Sequence, residues 1–374
     1  MEKYSAYRDP GTGVQPFLPL VPPPSDLLAK LSVPLALLVG VVRTALVLVL
    51  LLVYLILVRG VSIIFIPIPI VHRFVTRFFT ALIARLALLC LGLFWISVDN
   101  VTRKRGRAAK DVESWKPRAG DIIVSNWVSW VEILWLAFRY GSIPYSYCQL
   151  RKALPSPETQ ALASEAISHT PGRRTGTGSA NISATSRAVI ARVPIVGFCQ
   201  VSLLCTPPFG ITKNRGSYKS LDDIRKHAAH PLVVFPECTT SNGRALLRFA
   251  DVFQQTIPVR GYNVFVMCVR YDPPTRFAAT LAHTIPTALN PLSHMFSVAA
   301  SLAPQAVSIR LLAPSESPSS QLFLASEVLT GSNETDPLAE TCAALIAQIG
   351  KMKRTGMGWE DKVSFHRLFS LKRR

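Results

Sequence analysis

The 374-residue chain carries 41 Lys and Arg against 22 Asp and Glu, a formal net charge of +19. Its mean hydropathy is nevertheless positive, because apolar residues are concentrated near the N-terminus. That segregation points to a basic membrane-bound protein. It argues against a nucleic-acid partner, since the charge has no aromatic-interleaved motif.

The first thirty residues lack a charged stretch followed by a short apolar core, so no cleaved signal peptide is expected, and residues 1–30 read as a cytosolic tail. Residues 31–98 read as a membrane anchor of one or two apolar helices. Val33 to Val58 is apolar except for Arg43, long enough to cross a hydrocarbon core of roughly 30 Å. A second candidate runs from Phe78 to Val98 and contains Arg85. Each central Arg costs about 2.5–3.5 kcal/mol on insertion scales. Pro67 and Pro69 lie between the two segments in a run too apolar for an aqueous loop, which favours a hairpin held within one leaflet. Arg103, Lys104, Arg105, Arg107 and Lys110 follow, a basic cluster that places the bulk of the chain on the cytosolic side. The seven cysteines are scattered, odd in number and without a CxxC pair, so neither a disulfide framework nor a zinc site is indicated.

Residues 99–374 read as one α/β domain with a mostly parallel sheet flanked by helices. Strands are expected at Asp121–Ser125, at Val201–Cys205 or Phe209–Lys213, at Pro231–Phe235 and at Val264–Arg270. Helices are expected at Trp130–Tyr140, after a Ser217 cap, and from Asp336-Pro337 to about Ile349 with Gly350 at the end. Pro155 to Ser186, rich in Ser, Thr, Gly and Pro, reads as a flexible insertion. Ala279 to Ser301 is apolar but broken by Pro286 and Pro291, which leaves a lid over an acyl groove and ordinary core packing both open.

The most informative stretch is LVVFPECTTSNGRALLRF, Leu232 to Phe249. A short apolar strand stops at Pro236, hydroxyl and amide side chains crowd ahead of Arg244, and apolar residues then resume at helical spacing. A loop so composed suits an anion. These residues resemble the FPEGT block of the glycerolipid (PlsC-type) acyltransferases, and the SNGRALLRF continuation is most similar to the branch acting on lysophospholipids, in particular fungal lysophosphatidic acid:oleoyl-CoA acyltransferases. Cys238 stands where that family has Gly. The family's first motif, NHxSxxD, aligns with Asn126 to Glu132, but Trp127 replaces the His and Glu132 the Asp. Its second motif resembles Phe209 to Arg215, led by Val193 to Gly197, and its fourth resembles Val264 to Tyr271, with Val266 in place of Pro.

The resemblance implies a glycerol-3-phosphate acyltransferase-like fold and transfer of an acyl group from acyl-CoA to lysophosphatidic acid, with no cofactor beyond that co-substrate. Membrane lipids, acyl-CoA and lysophospholipid are the implied partners. The endoplasmic reticulum membrane is the implied location, a lipid-droplet surface being equally open to a hairpin anchor. In the family the first-motif His is the general base, and indole cannot serve. Glu132 is the nearest substitute: burial among Trp127, Trp130 and Trp135 would raise its pKa into a useful range, while a carboxylate in the first turn of a helix is also simply a favourable partner for the helix dipole. By resemblance, Arg215 contacts phosphate, Glu237 organises the acceptor site, and Thr239, Asn242, Gly243 and Arg244 supply donors to the head group. A homologue that has lost the base and only binds lipid or acyl-CoA is the alternative.

Overall fold

The computed structural model of the protein describes residues 4–24, 26–65, 67–103, 114–141, 143–147, 198–200, 221–228, 230–253, 255–285, 291–321, 323–328 and 336–371. Its centre is a sheet of β1 (Ile96–Val101), β2 (Ile122–Ser125), β3 (Ile143–Tyr147), β4 (Phe198–Gln200), β5 (Leu232–Val234), β7 (Val264–Tyr271) and β8 (Val307–Leu312). The order is β1-β8-β7-β2-β5-β3-β4, with β7/β8 and β3/β4 antiparallel and the other pairs parallel. A mostly parallel sheet flanked by helices was the expected class.

The three central strands are continuous apolar runs because both of their faces are covered. Ile122, Val124, Leu232, Val234, Val264 and Val266 point to one core with Leu338, Leu345 and Ile346. Ile123, Val233, Phe265 and Met267 point to the other, with Leu88, Trp130, Trp135 and Val298. Helices α5 (Leu221–His227) and α7 (Pro337–Gly350) cover the first face; α3 (Pro69–Cys90), α4 (Val131–Tyr140) and α6 (Leu292–Ala299) cover the second. The Asp336 cap on α7 forms as the sequence indicates: its carboxylate accepts from Ala339 N at 3.1 Å. Ile122 pairs in register with both Leu232 and Val264, so β2 and β5 release their following turns at one edge of the sheet. Crevices at the carboxyl ends of parallel strands are where open α/β sheets bind ligands.

The N-terminal region holds α1 (Leu27–Leu31) and α2 (Val33–Tyr54), and the apolar helical stretch runs on to Val58. It is the one candidate span among the described residues, and only 6% of its most apolar window is buried. The second expected span, Phe78–Val98, is helical only as far as Cys90. Helix α3 starts earlier and ends at Cys90, where Gly92 at φ +86° turns the chain, and the alternating ISVDNV stretch becomes edge strand β1. Helix α2 is tied to the domain midway along its length. The Arg43 guanidinium donates to the carbonyls of Ala299 (3.2 Å) and Ser301 (2.8 Å) at the end of α6, and a Cβ on Gly40 would lie 2.9 Å from that of Ala300. A cation on the free carbonyls of a helix C-terminus is well placed, so Arg43 is not an unpaired charge. Arg85 similarly donates to Phe94 O at 2.9 Å.

One more expectation needs correction, and two segments gain detail. Residues after Arg244 do not form a helix: Ala245–Leu246 is a short strand, β6, parallel to β9 (Lys353–Arg354). The described part of the N-terminal tail does not trail free, because Phe17 is buried with Leu247, Met357 and Phe365 of the C-terminal helix α8 (Trp359–Leu371). Within 279–301, Leu281, Met295, Val298 and Ala299 are core residues, which decides for packing over a lid in the described part. The 155–186 insertion, the 193–197 and 209–215 segments, the alternative strand at 201–205, Ser217, and Lys104, Arg105, Arg107 and Lys110 lie outside the described residues.

Candidate active site

Two turns meet at the carboxyl edge of β2 and β5. The first is held to β7 by Asn126, whose side-chain amide exchanges two hydrogen bonds with the Val269 backbone, at 2.9 and 2.8 Å, as a neighbouring strand residue would. Trp127 is turned inward. Its ring is fully buried and stacked on Phe235, centroids 4.9 Å apart, and its indole N–H has no hydrogen-bond partner. Glu132 reaches back from the first turn of α4 and accepts from Val128 N at 3.0 Å and Ser129 N at 3.2 Å. Burial pushes its pKa well above the usual carboxylate range, with the Glu237 charge adding to the rise and the two peptide N–H groups opposing it. The second Glu132 oxygen, Oε2, is buried without a hydrogen bond of normal geometry. The buried Tyr271 phenol lies beside this carboxyl, and is raised first by burial and then by the Glu132 charge. Glu132 is therefore both an acceptor for the peptides at the start of α4 and a carboxyl of raised pKa.

The second turn follows β5. Glu237, with no exposed surface, accepts from Trp127 N at 2.5 Å and from Leu247 N at 2.8 Å. This buried carboxyl is the physical link between the first and third motifs. Burial raises its pKa to about 8 against the pull of the two peptide bonds and of Lys362. Cys238 takes φ +56°, the left-handed region that favours glycine, which gives a conformational reason for the Gly of the resembling block. Thr239 is buried and its hydroxyl has no partner. Gly243 is also left-handed at φ +71°, and a Cβ there would meet the Val128 side chain at 3.3 Å. Arg244 is exposed at the rim, its peptide N–H bonded to Asn242 Oδ1 at 3.1 Å.

Asn242 is placed differently from a head-group donor. Its amide donates to the carbonyls of Gln15 (2.8 Å) and Leu18 (3.1 Å), and its backbone N–H to that of Pro16 (2.9 Å). The N-terminal segment thus lies along the third-motif loop. The structure brings together Trp127, Glu132, Glu237, Thr239, Asn242, Gly243 and Arg244; Arg215 lies outside the described residues.

Three residues join this neighbourhood from far away in sequence. His283 donates its backbone N–H to Val128 O at 3.0 Å, and its ring lies 4.7 Å from that of His294. His294 accepts from the Trp130 indole at 2.9 Å and sits 3.0 Å from Thr280 O, and burial lowers its pKa to about 4, so it is held neutral. The third is Lys362 of α8, buried, donating to the carbonyl and hydroxyl of Thr240. Spacing alone does not announce any of them. A lysine amid the apolar positions of a C-terminal helix is the one signal that was there to find.

No family model matches the chain, and no curated protein or solved structure is detectably similar to it.

Proposed function

We propose that this chain is a membrane-anchored, acyl-CoA-dependent lysophospholipid acyltransferase, with lysophosphatidic acid as acceptor and phosphatidic acid as product. What carries the reading is the Glu237 to Trp127 hydrogen bond: residues that resemble two separate acyltransferase motifs, 110 positions apart, meet at the carboxyl edge of a largely parallel sheet. In the proposed reaction the acceptor hydroxyl oxygen attacks the thioester carbonyl, the C–S bond breaks, and the hydroxyl proton passes by way of a base to the departing CoA thiolate. Glu132 is assigned as that base, since its raised pKa gives it a proton affinity that an exposed carboxylate lacks. Arg244 at the rim is assigned to the head-group phosphate, with Arg215 completing the pair. The exposed apolar surface of α2, tied to the domain through Arg43, is assigned to the cytosolic leaflet of the endoplasmic reticulum or to a lipid-droplet monolayer.

One observation favours a second reading. The Trp127 ring fills the core where the family projects its base, as in a homologue that keeps the lipid site and has lost turnover. Acyl transfer from labelled oleoyl-CoA to lysophosphatidic acid by the purified full-length protein separates the two. Turnover that falls 10²–10⁴-fold in Glu132→Gln with the fold intact supports the enzyme with Glu132 as base. Turnover that survives Glu132→Gln but is lost in His283→Asn moves the base to the histidine beside Val128. No turnover with any lysophospholipid, alongside retained lipid binding, establishes the binding protein.

A further inference from the structure

Lys362 is a buried cation that the proposed reaction does not use. It lies on α8, more than a hundred residues after the loop it touches, with 1% of its surface exposed. Its ammonium donates to Thr240 O and, at 2.9 Å, to Thr240 Oγ1. One turn further along the same helix, Phe365 is buried beneath Tyr4, Tyr7 and Phe17, at ring separations of 5.5, 5.2 and 5.8 Å. The approach to the ammonium is thus lined by the protein's own two ends. Desolvating a lysine is expensive unless the charge finds acceptors or an opposite charge. Thr240 supplies the acceptors, three residues after Glu237 in the same loop.

We propose that Lys362 is a positioning residue of the candidate site: it pins the Thr240 peptide and with it the loop from which Glu237 holds the Trp127 and Leu247 peptides, and so the two motif turns. The role rests on the acyltransferase reading for its catalytic consequence but not for its structural one. Three features of geometry agree with it. Thr240 lies between Glu237 and Asn242, so fixing its peptide fixes the middle of the loop. Glu237 spends both oxygens on peptide N–H groups, one in each turn, so the loop that Lys362 pins is the loop that joins them. The segment between the loop and α8 is itself stitched to the loop, through Arg248 N to Met357 O at 2.8 Å and Thr355 N to Leu246 O at 2.9 Å, so the helix cannot drift from its target. Burial lowers Lys362 to about 7 and raises Glu237 to about 8, each opposed by the charge of the other, so the pinning rests on the Thr240 hydrogen bonds rather than on an ion pair.

The test is a double-mutant cycle on the full-length protein in detergent, using Lys362→Met, Glu237→Gln and the pair. It is read by amide hydrogen exchange of peptides containing Trp127 and Leu247, and by acyl transfer from oleoyl-CoA to lysophosphatidic acid. Lys362→Met is expected to speed exchange at both peptides at least 10-fold and to lower kcat by a similar factor with KM for oleoyl-CoA little changed. In the Glu237→Gln background the same substitution is expected to change either readout less than 3-fold, because the two-oxygen acceptor that couples the pinned loop to both peptides is gone. A lysine that only fills space would act equally in both backgrounds, and equal effects, or no effect on exchange, overturn the proposal. Should Lys362→Met not fold, Thr240→Val removes one of the two Nζ acceptors at constant shape, and unchanged exchange at Leu247 is then the overturning result. If the wild type turns over no lysophospholipid, the acyltransferase reading falls while the exchange cycle still decides the role of Lys362.

Discussion

The turn after β2 and the loop after β5 leave adjacent strands at the same edge of the sheet, and each is governed by one buried carboxyl. The two carboxyls work over different distances. Glu132 holds peptides three and four residues before it, an interaction closed within its own turn. Glu237 holds one peptide in the other turn and one at the far end of its own loop, and is balanced by a lysine from the C-terminal helix. The first is a local cap that any α-helix start can make. The second joins three parts of the chain, so its loss is felt in all three.

Substitutions put this contrast to the test, and the largest effect is expected at Glu237. Glu237→Ala orphans two buried N–H groups, one in each turn, and unties the turns from each other, and is expected to cost about 3–5 kcal/mol in denaturant unfolding. Glu132→Ala orphans only its own turn, and about 1–3 kcal/mol is expected by the same measurement. Equal costs would erase the distinction between local and long-range carboxyls.

A pH titration of thermal unfolding sharpens it further. The folded-state pKa of Glu237 is raised to about 8 from 4.5, so its contribution is complete below pH 4.5 and is lost as pH rises toward 8. Glu132 is raised in the same sense. Lys362 is lowered to about 7 from 10.5; its contribution is present above 10.5 and lost as pH falls through 7, so it adds little slope below that. Unfolding temperature is therefore expected to decline from about pH 5 to about pH 7, and Glu237→Gln and Glu132→Gln are each expected to flatten that decline. The smallest effect is reserved for the backbone. Cys238→Gly relieves a left-handed L-residue at some cost in unfolded-state entropy, and a gain of no more than about 1 kcal/mol is expected.

The contrast also explains what could be read from the sequence. Strands β2, β5 and β7, helix α4 and the Asp336 cap of α7 follow from short-range patterns, and they appear where those patterns put them. Strand β1 was missed because its first residues continue the apolar stretch read as a helix, and the chain turns from helix to strand at the left-handed Gly92. Strand β8 and helix α8 were missed although Pro304 and Pro314 bracket the first and Glu360 and Asp361 mark the first turn of the second. In the site, Glu132 and Glu237 are visible from motif spacing, and the inward turn of Trp127 is not, because it depends on Phe235 being there to receive the ring. Asn242 is the sharpest case. Its position in the loop suits a phosphate donor, yet its amide is spent on carbonyls of residues more than two hundred positions earlier.

The N-terminal segment bears on how the protein can be handled. Cutting off everything before α3 is the obvious route to a soluble domain, since α2 is the apolar part. The cut would also remove Gln15, Pro16 and Leu18 from Asn242, Phe17 from the pocket beside Phe365, and the Asp9 carboxylate that accepts from Gly356 N. The leading residues and the greasy helix behind them are thus separable in purpose but not in order along the chain. A soluble form is better made by joining residues 4–18 through a polar linker to the start of α3, or by adding that segment back as a peptide.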